Sequence, residues 1–476
     1  MGRISLSLLT ETDLGQIHSA SLQILERTGT VIHHSDILKR LADVGARVNQ
    51  AGERVFFPPE LVEESLAKAG RRYTLFGRDP KKNVAYGDGH FSLMSSPGQY
   101  SWIDLETGLR RSATLTDAVD AIRLGDALEN IHVVGAMAQP EEFSDRYRDV
   151  ALTAELLKRT TKPTRCWVKN GATAEYIIEL YAAVAGGRDR LRRQPMVEAF
   201  LEPISPLQFP ETGLEIVKVF TEAGQPVSIG PMAMASGTAP ATLAGTLALE
   251  NAEILASIVI IQSLAPGCPV MYGGIPHIMD PKTSICSFGS PEQGLMAAAM
   301  VEIARSYGFP CYVNAGLTDA KVPDAQAGIE KASSMILAAL AGADTFGHSG
   351  ICGTDHAGSL LWLVLDAELF DFVKRIARGF EVNEETLATS VIDVVGPAGN
   401  FLAEYHTVEH FRRELWLPSD VWTRQNFEQW RNEGQKSIAD RLTGQVRHIL
   451  DTHEVEPLEP KLSAELDRIV AAAKEL

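Results

Sequence analysis

Between residues 87 and 379 a short apolar run is followed by a longer amphipathic stretch, and the pair recurs eight times. The runs are His90–Ser95, His132–Met137, Thr164–Val168, Val197–Leu201, Val227–Gly230, Val270–Gly273, Cys311–Ala315 and Thr345–His348. Helical stretches follow them, starting near Thr114, Ser144, Ala172, Pro210, Ala239, Pro291, Asp324 and Asp355. Two starts carry explicit signals. Ser290, Pro291 and Glu292 supply a cap, a helix-first proline and an acid, and Pro323 with Asp324 does similar work. Strand then helix, repeated, requires a parallel sheet, because parallel neighbours need a crossover connection. Eight such units predict a closed (β/α)8 TIM barrel. The rival, a doubly wound open sheet, usually shows G-x-G-x-x-G after its first strand, and none stands there.

The flanks read as helical. Residues 1–86 carry a rough stripe over Leu14, Ile17, Leu22, Ile24 and Leu25. Ser35 and Asp36 open a second helix to about Val44, and Pro58, Pro59 and Glu60 open a third through Leu66. Residues 380–476 read as a helical extension, clearest over Asp440–Ile449 and Lys461–Lys474. Both flanks are expected to pack together beside the barrel.

With 44 basic against 61 acidic residues, net charge −17, nucleic acid is an unfavourable partner. Five scattered cysteines without a C-x-x-C pair fit free thiols in a reducing compartment. The apolar run after Met1 is too short for a signal peptide, and Ile254–Ala265 is too short to span a bilayer. A soluble cytoplasmic protein is expected, and barrels of this size commonly assemble as homo-oligomers.

A barrel builds its site at the C-terminal ends of its strands. That rule selects Ser95, Ser96, Gln139, Trp167, Lys169, Phe200, Glu202, Met232, Tyr272, Asn314, Phe346 and His348. Several are aromatic and few are charged. Aromatic faces attract a quaternary ammonium through their quadrupole, so Trp167, Phe200, Tyr272 and Phe346 form a candidate cation cage. The plainer alternative is that these rings close the barrel core. Glu202 is placed to hold substrate cation charge or to form an ordinary salt bridge. His348 and Asn314 are placed to bind a carboxylate, with a structural hydrogen bond as the other role for the histidine.

Two segments carry a family resemblance. Gly396–Glu414, GPAGNFLAEYHTVEHFRRE, packs glycines, a proline, two histidines and mixed charge into one stretch, and Gly316–Gly328, GLTDAKVPDAQAG, follows the seventh strand. Both resemble signatures of the trimethylamine methyltransferase family, corrinoid-dependent enzymes that demethylate methylamines, and the resemblance runs through nearly the whole chain. It implies methyl transfer to Co(I) of a corrinoid carried by a separate small protein, with no tightly bound cofactor in this chain. In the family's methylamine enzymes the second segment holds pyrrolysine, at or next to Leu317, where this chain has leucine. A tertiary amine needs activation, because an amide anion is a very poor leaving group. A quaternary amine leaves as a neutral tertiary amine. The resemblance therefore implies the non-pyrrolysine branch, acting on glycine betaine or a similar quaternary amine, with another N-methyl compound such as carnitine, proline betaine or a smaller methylamine as the alternative.

His406–His410 matches H-x-x-E-H, a zinc pattern. It lies inside the family-like signature and outside the predicted barrel, so capping, ion pairing or packing is the preferred role and no metal is expected. Cys268, His277 and Cys286 match no metal spacing. The rival functions are a zinc-dependent barrel hydrolase and a non-catalytic betaine-binding protein.

Overall fold

The computed structural model describes residues 4–49, 51 and 53–476. Met1 to Arg3, part of the N-terminal stretch read above, lie outside the described residues. The barrel strands are β1 Ser92–Ser95, β2 Val134–Gly135, β3 Thr164–Arg165, β4 Ala199–Leu201, β5 Val227–Ile229, β6 Val270–Gly274, β7 Cys311–Val313 and β8 Thr345–Ser349. Each precedes its helix: α1 Leu115–Ala127, α2 Arg148–Arg159, α3 Gly171–Ala185, α4 Glu211–Glu222, α5 Leu243–Leu264, α6 Pro291–Ser306, α7 Ala325–Ala341 and α8 Leu360–Arg378. Strands β4, β5, β6, β7, β8 and β1 form one parallel ladder, and the barrel closes where Phe346 of β8 pairs with Leu93 of β1. A bridge from Met94 to Val133 joins β1 to β2, and β2 pairs with β3. Among the described residues no ladder joins β3 to β4. The fold is a (β/α)8 barrel with flanking segments.

Thr114, Ser290 and Asp324 cap helices as their side chains suggest, each accepting a backbone N–H three residues on. Helices α2, α5 and α8 start four or five residues later than the pattern indicated. The intervening chain becomes mouth loop. The strands are also shorter than the apolar runs, and Met137 with φ +57° lies beyond the end of β2.

Side-chain alternation separates two cores. Met94, Val133, Met271 and Tyr312 point into the barrel, with Phe200 packed against them, while Leu93, Leu201, Val270, Tyr272, Val313 and Phe346 point out beneath the helices. Helix α5 is apolar on every face because it lies between the barrel and the N-terminal helices. It is long and apolar enough to cross a membrane, but here it is a core helix, 89% buried over its most apolar window.

The three N-terminal helices occur, at Glu11–Gln23, Ser35–Asp43 and Pro59–Lys68. The all-helical reading of residues 1–86 is nonetheless corrected. Three short strands, Thr30–Ile32, Arg47–Asn49 and Arg54–Phe56, form a sheet with Gln208–Phe209, and a hairpin of Tyr73–Leu75 with Val84–Tyr86 inserts its side chains into the barrel interior. These strands are three residues long, too short for period-2 alternation to register in a sequence. The flanks also dock apart. The N-terminal helices pack on α5, whereas Ile438–Thr452 packs on α1 and α8, and Pro460–Ala473 on α2 and α3. They meet where Arg78 donates to the carbonyl of Glu456 at 2.8 Å.

Glu253 of α5 fixes the loop after β4. Its carboxylate accepts from the Leu207 amide at 2.6 Å and the Ser205 hydroxyl at 2.8 Å. Burial pushes its pKa up to about 7. A carboxyl raised above its unfolded value binds the proton more tightly when folded, so stability falls as pH rises from the unfolded pKa through about 7. Glu253→Gln keeps an acceptor for Leu207 and removes the titration. It is expected to be more stable than wild type at pH 8 by on the order of 2 kcal/mol and to lose that advantage near pH 5, measured by denaturant unfolding at both pH values.

Candidate active site

A buried cation organises the barrel interior. Arg165 of β3 lies 4.7 Å from the ring centroid of Phe200 and 4.8 Å from that of Tyr312, in the corner between rings inclined at 71°. It crosses the unpaired seam between β3 and β4. Burial opposes its charge, but Tyr312 and Glu198 outweigh burial and hold the guanidinium above its ordinary pKa. Glu198 is the buried countercharge and accepts from the Tyr73 hydroxyl of the plugging hairpin at 2.5 Å. Burial raises the Glu198 pKa, against Arg165 and Tyr73, which lower it.

Toward the mouth, the Tyr312 hydroxyl donates to Asn314 Oδ1 at 2.7 Å and lies 2.9 Å from His348 Nδ1. The third side of this triangle, His348 Nδ1 to Asn314 Oδ1, is 3.3 Å. Burial, with Arg165 and His277 adding to it, pushes the His348 pKa down to about 3. The imidazole is neutral, and Nε2 has no hydrogen-bond partner among the described residues. His348 reaches the interior because the ladder shifts register between Phe346 and Ser349 and because its backbone is left-handed, φ +63°. Gly347 permits the close approach: a Cβ there would lie 2.2 Å from the Tyr312 hydroxyl.

Two carboxylates share the rim. Glu202, just past β4, is exposed in the concave mouth, and its pKa is raised by the surrounding protein and by Asp355. Asp355, in the loop after β8, is exposed at the rim and accepts from Gln99 Nε2 at 2.5 Å, and partial desolvation by the surrounding protein pushes its pKa up to about 6. Trp167 is an exposed rim residue, edge-on to Tyr100 with centroids 6.4 Å apart.

Of the predicted residues, Phe200, Glu202, Asn314 and His348 converge, and Trp167 stands at the rim. Three do not reach the site. Tyr272 points outward, its hydroxyl donating to Asn251 of α5 at 2.7 Å, because neighbouring Met271 takes the inward position. Phe346 points outward onto Phe91 and Phe370. Leu317 is buried against Phe288 and Ile351. The four-ring cage is therefore corrected: Phe200 packs on Tyr312 and Trp167 on Tyr100, as two separate pairs, while Tyr272 and Phe346 face outward. Arg165, Tyr312, Gln99 and Asp355 were missed. Alternation held a signal for two of them, since Arg165 shares a face with Trp167 and Tyr312 shares one with Asn314.

His406 and His410 lie outside the barrel. Their ring centroids are 4.2 Å apart, Arg413 lies 3.0 Å from His410 Nδ1, and Glu385 lies 3.4 Å from His410 Nε2. Among the described residues no three histidine, cysteine or acidic side chains form a metal-ligand group.

The family model for trimethylamine methyltransferase matches residues 3–475. The chain belongs to that family. It is 32% identical to a glycine betaine methyltransferase of Desulfitobacterium hafniense over 98% of this chain and 96% of the relative. Identity to a trimethylamine methyltransferase of Methanosarcina barkeri is also 32%, over 99% of this chain and 96% of the relative. Among solved structures, the monomethylamine methyltransferase of Methanosarcina barkeri superposes with TM-score 0.52 at 11% identity, covering 93% of each chain, which shows a common fold.

Arg165→Met leaves Glu198 as an uncompensated buried acid. It is expected to cost about 3–5 kcal/mol of stability, with part recovered in the double variant Arg165→Met/Glu198→Gln, as read by denaturant unfolding.

Proposed function

We propose that the protein transfers a methyl group from a quaternary amine, glycine betaine being the first candidate, to Co(I) of a corrinoid carried by a separate protein. The observation that carries this reading is the mouth itself. Glu202 and Asp355 are electrostatically coupled past the strand ends, Trp167 is exposed edge-on to Tyr100, Phe200 packs on Tyr312, and Tyr312 in turn holds Asn314 and neutral His348. The likeness to a glycine betaine methyltransferase supports the same reading.

The carboxylates and ring faces favour a cation whose methyl groups cannot donate strong hydrogen bonds. A substrate carboxylate would find the Asn314 amide, and His348 Nε2–H as well once the Tyr312 hydroxyl turns from Asn314 Oδ1 to donate to Nδ1. Leu317, buried against Phe288 and Ile351, offers no activating group, which a quaternary nitrogen does not require. The corrinoid supplies the electron pair that forms the new bond to the methyl carbon. As the C–N bond breaks, its electron pair stays on nitrogen and the amine leaves neutral, so no proton is needed at the nitrogen. The chain's residues bind, desolvate and orient the cation, and orientation of this kind contributes roughly 7–11 kcal/mol to lowering a barrier. Because positive charge on nitrogen disappears during the reaction, Glu202 and Asp355 favour the bound cation more than the transition state. Their role is binding. Exposure of Tyr100, Trp167 and Met232 keeps the mouth open to a large methyl acceptor.

The decisive assay is loss of Co(I) absorbance from chemically reduced cobalamin with the purified protein. Glycine betaine, carnitine, proline betaine, choline, dimethylglycine and trimethylamine are offered in parallel. Turnover of a quaternary amine without turnover of trimethylamine is expected; no turnover with any quaternary amine would overturn the proposal. His348→Ala and Asn314→Ala are each expected to raise KM about tenfold for a substrate with a carboxylate and to change that for choline much less.

The pH profile follows from Asp355. Protonation below about 6 removes its negative charge. The value of kcat/KM for the cation is therefore expected to fall as pH drops through about 6. Asp355→Asn should raise KM more than it lowers kcat and should flatten that limb of the profile. An unchanged acid limb would exclude Asp355 from cation binding.

A further inference from the structure

Asp319, in the loop after β7, accepts hydrogen bonds from both neighbouring loops. From the loop after β6 come the Ser287 hydroxyl at 2.5 Å, the Phe288 amide at 2.8 Å and the Gly289 amide at 3.2 Å. From the loop after β8 comes the Thr354 hydroxyl at 2.9 Å. The Asp319 loop is itself fixed from α7, where Glu330 accepts from the Asp319 amide at 2.9 Å and the Thr318 hydroxyl at 2.6 Å. The same three loops share an apolar contact with one side chain from each, since Phe288, Leu317 and Ile351 form a small core of their own. Burial opposes the charge of Asp319, but its hydrogen bonds outweigh burial and hold its pKa below the ordinary value.

The chain after Ile351 takes a costly path. Thr354 and Asp355 are both left-handed, with φ +60° and +58°. A β-branched residue holds that conformation only where its surroundings impose it. At Thr354 two bonds do so, the hydroxyl to Asp319 and the amide to the Thr318 carbonyl at 3.4 Å. Both run to the loop after β7. Asp355, the next residue, is the rim acid assigned above to cation binding, and it accepts from Gln99 of the loop after β1. Glu202 and the Cys286 thiol both feel its charge, and the thiol feels Asp319 as well.

We propose that Asp319 is a positioning residue, which by holding Thr354 fixes Asp355 where a cationic substrate meets the rim. It acts through Asp355 and not on the substrate, so the inference rests on the cation-binding role of Asp355 proposed above. The plainer role is a brace for the loops, and the variants have to separate the two. Asp319→Asn is a harsh probe. Each carboxylate oxygen accepts a backbone N–H, Phe288 at Oδ1 and Gly289 at Oδ2, so a side-chain amide would set N–H against N–H whichever way it turned. Thr354→Val is milder, because it keeps the shape and removes only the donor, while Thr354→Ser keeps the donor.

The first measurement is the titration of Asp355 by carbon-13 NMR of full-length protein labelled at its aspartate carboxyls, with the signal assigned by its loss in Asp355→Asn. The wild-type midpoint is expected at about 6. Released from its place, the carboxyl regains water, so the midpoint is expected to move toward the ordinary aspartate value in Thr354→Val and Asp319→Asn and to stay in Thr354→Ser. This readout needs no substrate. The second is turnover. Thr354→Val is expected to raise KM for glycine betaine about fivefold with kcat little changed and wild-type circular dichroism, and Thr354→Ser to restore KM. In an Asp355→Asn background, Thr354→Val is expected to change KM by less than about twofold, because nothing is left for the bond to position. An Asp355 titration unmoved in both Thr354→Val and Asp319→Asn would overturn the proposal. So would a KM effect of the same size with and without the Asp355 carboxylate, the mark of a brace alone. A shifted titration beside a wild type that turns over no quaternary amine would support the positioning role and refute methyl transfer.

Discussion

The interior of this barrel depends on one charge. Arg165 is fully enclosed, and an unpaired guanidinium there would be prohibitively costly to bury. Glu198 compensates it, Tyr73 steadies Glu198, and the faces of Phe200 and Tyr312 receive what charge remains. The partners come from three elements: Tyr73 from the hairpin, Glu198 and Phe200 from the fourth strand and its lead-in, and Tyr312 from the seventh. The same set reaches the mouth, because Tyr312 also orients Asn314 and His348. Burial keeps His348 uncharged, and Arg165 adds to that effect. The plug at one end and the binding groups at the other are two faces of a single electrostatic arrangement.

Charge is graded along the barrel axis. The deep cation is matched by a buried acid, the middle layer is neutral, and the rim is acidic through Glu202 and Asp355. A cationic ligand entering from the rim meets attraction first and then a neutral, aromatic, hydrogen-bonding layer. It cannot descend to the level of Arg165, because like charge and the Phe200 ring close that path. Under the proposed methyl transfer, this grading would hold the methyl group near the mouth, within reach of an acceptor too large to enter the barrel.

The sequence was most legible where a pattern repeats. Eight alternations of apolar run and amphipathic stretch carried the barrel, and Thr114, Ser290 and Asp324 cap the helices that their side chains implied. It was least legible where short pieces pair across long separations. The hairpin at Tyr73–Tyr86 and the pairing of Val31 with Gln208 leave no local periodicity. Among site residues, Phe200, Glu202 and Asn314 followed from their place at the C-terminal ends of strands. Tyr272 and Phe346 did not, because a one-residue error in strand register exchanges inside for outside. His348 faces inward only through a break in the ladder.

Composition, periodicity and capping chemistry determined the fold class, the position of the mouth and the acidic character of the chain, since these depend on interactions within a few residues of one another. The two signature segments pointed to the family. Only the tertiary structure decided which aromatic rings face the interior, that Asp355 joins Glu202 at the rim, and that Arg165 is buried with Glu198. Each of those depends on groups brought together from distant parts of the chain, and the energy of a buried charge exists only once the surrounding protein has excluded water.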